Sequence, residues 1–376
     1  MRFHPSPDQL RLGEEARRLL RASSPALVRR LADEPGDLGL ELEAELRRRG
    51  WLGLLVPEEH GGRGGSLLEA AVLLRELGGA LAPTPFLSSS VLATSLLAAA
   101  GSGRQQRSWL PRLARGEARA TVAWLEEEGR VDPAGIALRA RRHRGSFRLS
   151  GTKLFVLDAA SADLLLTAVR TSAGHGAEGV TLLLVPSGTP GVSAARLESY
   201  DRTRRIYEVK FDDAIVPRSQ ILGREGKGWR HLSRLLDVAS VAVAAEAQGG
   251  AERALELAVE RARRARPGGR ALASLPAVQR LAAECLAEIA PSRSLLWYAA
   301  WAQEHAPREA PRAASMAKAQ LADVFATTAR RALEIAGGAA ALDDELHLWL
   351  LRAHASRALF GSPAFHRERV AALSGW

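Results

Sequence analysis

The hydrophobic period of this chain changes twice along its length, and that succession limits the folds open to it. From about residue 6 to residue 115, apolar residues recur at three- and four-residue spacing: Leu10, Leu12, Ala16, Leu19 and Leu20, then Leu67, Leu68, Ala71, Leu74 and Leu77. Such spacing lines them up on one face of a helix. Ser66 with Glu69 three residues later is a capping-box pattern that starts the second of these helices after the Gly61-to-Gly65 loop, and Gly78-Gly79 ends it. From about 118 to 223, short β-like runs take over: Thr121 to Trp124, Ile136 to Ala140, Phe147 to Leu149, Leu164 to Val169, Val180 to Val185 and Tyr207 to Phe211. Gly- and Pro-rich breaks separate them, which predicts a compact antiparallel barrel or sandwich. From Trp229 to about 370 the helical period returns, broken at Pro267-Gly268-Gly269, around Pro307 to Pro311 and at Gly337-Gly338. Four long helices remain, enough for a bundle. The expected fold is therefore α+β and multidomain: an N-terminal α-helical domain over 1–117, a central small β-barrel over 118–225 and a C-terminal four-helix bundle over 226–376.

Composition narrows the function classes. The 376 residues are 47% apolar and 25% charged, the values of an ordinary globular protein with more than one core. No apolar run reaches the ~20 residues that span a bilayer. Met1-Arg2-Phe3-His4-Pro5 lacks the charged and hydrophobic regions of a signal peptide. Cys285 has no second cysteine to pair with and sits in a helical, apolar stretch, so a buried inert thiol and a reducing cytoplasm are expected. The net charge of +10 favours anionic partners. Arginine greatly outnumbers lysine and is spread along the chain, so the charge also reads as plain composition. No nucleic-acid motif, metal-ligand spacing, P-loop or hydrolase elbow is present.

Four segments carry a resemblance. They are Gly50-Trp51-Leu52-Gly53-Leu54-Leu55-Val56-Pro57-Glu58-Glu59-His60-Gly61-Gly62, Tyr200-Asp201-Arg202-Thr203-Arg204, Val209-Lys210-Phe211-Asp212-Asp213-Ala214-Ile215-Val216-Pro217 and Gly223-Arg224-Glu225-Gly226-Lys227-Gly228-Trp229. With the α, β, α order they resemble the acyl-CoA dehydrogenase family over nearly the whole chain. The resemblance implies FAD held between the β domain and the bundle, with a neighbouring subunit's bundle reaching its adenosine end. It implies a glutamate that removes the acyl α-proton while the β-hydrogen leaves as hydride to flavin N5. It also implies an acyl-CoA or acyl carrier protein substrate, and a homodimer, homotetramer or heterotetramer with a related subunit.

Where that family meets flavin, this chain departs from it. Leu125 stands in place of a threonine that bonds the flavin ring. In Phe155-Val156-Leu157-Asp158, Phe155 keeps the aromatic wall while Leu157 removes a hydroxyl. Against the family's Arg-x-Gln-Phe-Gly, the stretch Arg264-Ala265-Arg266-Pro267-Gly268 puts Ala265 and Gly268 in the Arg and Phe places. Arg264 and Arg266 flank them and are candidates for a diphosphate, or form a solvated basic face. Pro276 replaces a glutamine and Gln279 retains one. Gly337 and Gly338 keep two glycines of the adenosine-diphosphate turn, with Ala340 in the third place; a Gly pair after a helix also reads as a C-cap.

The base departs most sharply. Aligning Arg352-Ala353-His354 with the family's Arg-Asp-Ala puts Gly361 on the glutamate of Tyr-Glu-Gly-Thr, and the alternative base position on the first bundle helix holds Ala239. Glu246, two helical turns beyond, reads either as a relocated base or as one half of an ion pair inside the bundle. His354, His366 and Asp343-Asp344-Glu345-Leu346-His347 are further acid–base candidates or helix-start polarity. Two functional classes follow. One is an FAD-dependent dehydrogenase acting on or binding an acyl thioester, by α,β-desaturation if active, or else the base-less subunit of a mixed oligomer. The other is a flavin-free protein that binds an acyl thioester or a carrier protein, or a non-redox catalyst in a biosynthetic pathway.

Overall fold

In a computed structural model of the chain, which describes residues 4–33, 39–337 and 346–376, the first layer is helical. It holds α1 (Pro7–Asp33), α2 (Leu40–Arg48), α3 (Leu67–Gly79), a π-helical segment (Phe86–Ala93) running into α4 (Thr94–Ala100), and α5 (Gly103–Ala114). The capping box of α3 is formed: Glu69 N donates to Ser66 Oγ at 3.3 Å and Ser66 N donates to Glu69 Oε2 at 2.7 Å. Ser102 and Gln105 repeat the device at the start of α5.

The central β region contains β1 (Ala120–Ala123), β2 (Ala140–His143), β3 (Ser146–Leu157), β4 (Leu164–Arg170), β5 (Val180–Pro186), β6 (Val192–Arg196), β7 (Ile206–Pro217) and β8 (Ile221–Leu222). They form two four-stranded sheets, ordered β1-β4-β5-β8 and β2-β3-β7-β6. Leu165, Val169, Leu183 and Val185 of the first sheet share a core with Phe147, Leu149, Val209 and Phe211 of the second. The alternate residues Leu164, Leu166, Leu182 and Leu184 join the core of the helical layers instead. Both faces of the first sheet are thus buried, which is why its strands read as unbroken apolar runs. The strand expected over Ile136 to Ala140 begins only at Ala140. Asp132 caps a turn over Pro133–Gly135, and the Glu126 carboxylate accepts from Ala137 N and Leu138 N, each at 3.0 Å. A side chain has taken the hydrogen bonds that a strand partner would need.

The bundle is α6 (Trp229–Arg264), α7 (Pro276–His305), α8 (Ala310–Ala336) and α9 (Leu346–Ala358), with α10 (Pro363–Leu373) packed on α8. Its contact with α3 is backbone to backbone. A Cβ on Gly78 would lie 2.3 Å from Glu246 O, and one on Gly249 1.7 Å from Arg75 O. That close approach brings Glu246 beside the helical layer.

Candidate functional site

A cleft opens where three layers converge: the chain from Ala82 to Leu87, the end of β3 with the loop before β7, and helices α6 and α9. Arg352 of α9 reaches into it with Nε 2.6 Å from Asp201 Oδ2, and its Nη2 donates to Thr203 Oγ1 at 2.6 Å. Asp201 Oδ1 in turn accepts from Thr203 N at 3.0 Å. Beside this lock, Arg204 Nη2 lies 2.5 Å from Glu246 Oε2. Ser88 Oγ donates to Asp158 Oδ2 at 2.5 Å. Burial pushes the Asp158 carboxyl up to about 6, opposed by the Ser88 hydrogen bond and the nearby guanidinium groups of Arg204 and Arg205.

Phe155 lies three residues before Asp158. It has φ +56 at an irregularity of the β3–β7 ladder and is 43% exposed. A bulky residue in left-handed backbone is a costly arrangement. Leu125 and Leu157 are buried in apolar packing and offer no polar atom on their side chains. A pair that sequence reasoning passed over shapes the loop beneath. The buried Lys153 Nζ donates to Glu126 Oε1 at 2.6 Å and to Trp124 O at 2.9 Å, and burial lowers its amine to about 8. Its partner stands 27 positions away, so no local pattern announces it.

The expected phosphate-end residues gather around the α6–α7 connection. Arg264 is exposed and its guanidinium is 4.0 Å from Glu260. Arg266 Nη1 donates to Arg263 O at 3.1 Å, and Gln279 Nε2 to Ala273 O at 3.1 Å. Gly337, at φ +90, ends α8 against Leu272. Eighteen residues of α6 separate Arg264 from Glu246, roughly 27 Å of helix, so this group and the three-layer cleft sit at different ends of the bundle. Gly338, Ala340 and Asp343 to Glu345 lie outside the described residues.

At the expected base position, Gly361 has φ +105, and a Cβ there would fall 2.6 Å from the Phe365 ring and 3.0 Å from His366 Nε2. The loop is organised by its carbonyls. Lys318 Nζ donates to Ser356 O at 2.9 Å and Gly361 O at 3.2 Å, while His366 Nε2 is 3.0 Å from Phe360 O. Burial first, and Arg357 second, lower the Lys318 amine to about 7; burial and Lys318 lower His366 to about 3. Ala239 is buried, Asp237 pairs with Arg369 at 2.7 Å, and His354 is exposed.

A larger cavity, of about 390 Å³, lies further along α6 between α4 and the α7–α8 turn. Leu96, Ala99, Val238 and Pro311 give it apolar walls; Ser95, His231, Arg234, Asp237 and Gln303 are its polar members, the Asp237 carboxylate being paired with Arg369. Burial, with Arg230 and Arg234 adding to it, lowers His231. Cys285 is buried. Among the described residues no group of His, Cys, Asp and Glu is arranged to hold a metal, and no helix is long and apolar enough to cross a membrane.

Three successive domains of one family match the chain: the acyl-CoA dehydrogenase N-terminal domain over residues 6–117, the middle domain over 121–214 and the C-terminal domain over 226–374. An acyl-CoA dehydrogenase of Bacillus subtilis is 27% identical over 321 residues, 84% of each chain. Butyryl-CoA dehydrogenase from Megasphaera elsdenii superposes with a TM-score of 0.93 over 100% of both chains at 23% identity. The ChsE4-ChsE5 complex from Mycobacterium tuberculosis contains a chain with a TM-score of 0.90 at 25% identity, covering 100% of this chain and 99% of that one. With all three of its domains matched in order, the chain belongs to the acyl-CoA dehydrogenase family.

Proposed function

We propose that this protein binds an acyl thioester and FAD but lacks the deprotonating carboxylate of its family, and that it serves as the base-less subunit of an oligomer with a related chain. Gly361 carries the reading. In left-handed backbone, with the Phe365 ring where a Cβ would go, the position admits glycine alone. A register shifted by one would set Gly361 on the glycine of Tyr-Glu-Gly-Thr, with Ser362, which caps α10, in the threonine's place. In that register the glutamate's place falls on the buried Phe360. Either register leaves a residue that cannot take a proton.

FAD, the cofactor the resemblance implies, fits the outward Phe155 ring, which would stack on the isoalloxazine. When bound, the flavin supplies a hydride acceptor. Leu125 and Leu157 would offer such a ring apolar side chains and no side-chain hydrogen bond. Arg264, Arg266, Gln279 and Gly337, roughly 27 Å along α6 from Glu246, suit the diphosphate of a neighbouring subunit's flavin. The large cavity on α6 suits the thioester's carrier arm, with His231 and Arg234 as donors to CoA or carrier-protein phosphate. The single buried thiol suits a reducing cytoplasm.

The visible spectrum tests this reading, followed by anaerobic titration with acyl-CoAs. The expected protein turns yellow with FAD and binds acyl-CoA, yet does not bleach on its own. A protein that stays colourless after reconstitution leaves the flavin-free acyl-thioester or carrier-protein binder. Rapid bleaching by the isolated chain overturns the base-less assignment and favours a second reading, in which Glu246 is the relocated base. That reading draws on the place of Glu246 in the three-layer cleft. In that case Glu246→Gln slows bleaching by two or more orders of magnitude, within the usual range for a lost general base, ~10²–10⁴.

A further inference from the structure

The rim of the large cavity on α6 carries more positive charge than a single phosphate contact at His231 and Arg234 uses. We propose that this rim is a docking surface for a small acidic carrier protein, which presents the acyl thioester on a phosphopantetheine arm. The inference rests on the acyl-thioester reading above and names the carrier as a protein rather than free CoA.

The sequence supplies the charge. From Arg218 to Arg234 stand five lysine and arginine residues against one carboxylate, Glu225. That carboxylate is already held by Arg142 at 2.8 Å and by Arg218 at 2.7 Å. Arg224, Lys227, Arg230 and Arg234 are exposed and form no ion pair among the described residues, and the same holds for Arg104 and Arg107 on α5. The face made by α1, α3 and α6 is different: there Arg17, Arg75 and Arg253 each meet a glutamate. The fold gathers the unpaired cations beside the cavity. Gln105 Nε2 donates to Ile221 O at 3.0 Å, which ties the start of α5 to β8 and the loop after it. In that loop a Cβ on Gly223 would lie 3.5 Å from His231 Nε2 and 3.8 Å from Ala100 O. His231 lines the cavity, and Ala100 ends α4, whose Leu96 and Ala99 line it as well.

The chemistry of the rim favours a protein over a nucleotide. Its cations come from α5, from the loop before α6 and from the first turns of α6, whereas the phosphates of one CoA form a single compact group. CoA also ends in an adenine, which needs a ring to stack on. The large aromatic of this stretch, Trp229, is turned edge-on to Trp124 with ring centroids 6.1 Å apart and packs against the core. Exposed, unpaired cations on several elements suit a carboxylate-rich surface instead. They draw it in over a Debye length, roughly 8–10 Å, and add more to encounter and orientation than to tight binding. The cavity, about 390 Å³ with apolar walls, then takes the arm.

The test uses the full chain and one acyl group on three carriers: octanoyl acyl carrier protein, octanoyl-CoA and octanoyl-pantetheine, with affinities from calorimetry. At low salt the parent is expected to bind the carrier-protein form about tenfold tighter than octanoyl-CoA, close to 1.4 kcal/mol. High salt should close that gap and leave octanoyl-pantetheine, which has no charged head, unchanged. The double variant Arg104→Glu, Arg230→Glu should weaken the carrier-protein form about tenfold or more and spare octanoyl-pantetheine. Each of these residues is the second of its helix, where a carboxylate is favoured, so the fold is kept. A second pair, Arg107→Glu with Arg224→Glu, gives the same readout should the first not fold. Tighter or equal binding of octanoyl-CoA by the parent overturns the inference, as does a carrier-protein affinity that both double variants leave unaltered. A change of oligomeric state in the variants would make the rim a contact between subunits and overturn it too. Failure of octanoyl-CoA and octanoyl-pantetheine alike to bind the parent removes the acyl-thioester reading itself.

Discussion

Lys318 places an amine among carbonyl oxygens at the end of α9, with no carboxylate among the described residues hydrogen-bonded to it. Those of Ser356 and Arg357 are carbonyls a helix C-terminus leaves unpaired, and that of Gly361 comes from the loop beyond, so the lysine acts as a buried cap. Its position has a consequence for stability. The folded amine is lowered to about 7 from an ordinary 10.5, so the unfolded chain holds the proton more tightly. The group's stabilising contribution is complete above 10.5 and is lost as pH falls toward 7, with a slope of up to about 1.4 kcal/mol per pH unit. Lys153, lowered to about 8, acts in the same direction. Denaturant unfolding of the parent should therefore show stability rising from pH 7 to 10. Lys318→Met should flatten that rise by one proton's worth, and equal slopes for parent and variant would remove the assignment. At this scale the sequence was partly legible. Ser66 and Glu69 are three residues apart, and Cys285 sits in an apolar helical run, so local pattern suffices for both. The partners Lys153 and Glu126, or Ser88 and Asp158, are 27 and 70 positions apart and meet only once the layers pack.

Between elements, the α3–α6 crossing depends on glycine more than on any apolar side chain. The Cβ of an alanine at 249 would lie 1.7 Å from Arg75 O, and one at 78 would lie 2.3 Å from Glu246 O. Neither neighbour is a flexible tip that can swing aside. Gly249→Ala must push the helices apart, and that movement also shifts the Arg75–Glu252 pair carried by the same helices and moves Glu246 relative to Arg204 of the loop before β7. A loss of about 3 kcal/mol is expected, at the upper end of overpacking costs. A melting shift of under a degree would mean that the helices slide freely. The Gly78-Gly79 pair was legible as a helix stop, and Gly79 is indeed the last residue of α3. The close approach of Gly78 to α6 was not, because one sequence does not say what lies opposite a glycine. The misplaced start of β2 has the same origin: alternation over 136–140 looks like a strand until the Glu126 carboxylate takes its amides.

For the molecule as a whole, the order helical layer, two sheets, bundle was legible because the hydrophobic period itself changes at each join. The lock that fixes the sheets to the bundle was not, since Asp201 and Arg352 are far apart in the chain. The Asp201 and Arg352 side chains are 1% and 5% exposed, and Thr203 supplies the remaining hydrogen bonds. A buried pair of this kind adds little net stability over an apolar substitute, yet breaking it from one side leaves a bare charge in the interior. Arg352→Met should accordingly cost about 3–5 kcal/mol, and Asp201→Asn a similar amount. The double variant should lose clearly less than the sum, because neither charge is then left alone. The readout that separates a lock from ordinary core packing is local. If the pair holds β7 and its preceding loop against α9, hydrogen exchange in Arg352→Met should speed up in residues 201–207 and 346–358 before the sheet interior. Uniform acceleration across the chain would mean that the pair stabilises the whole fold without holding the cleft shut.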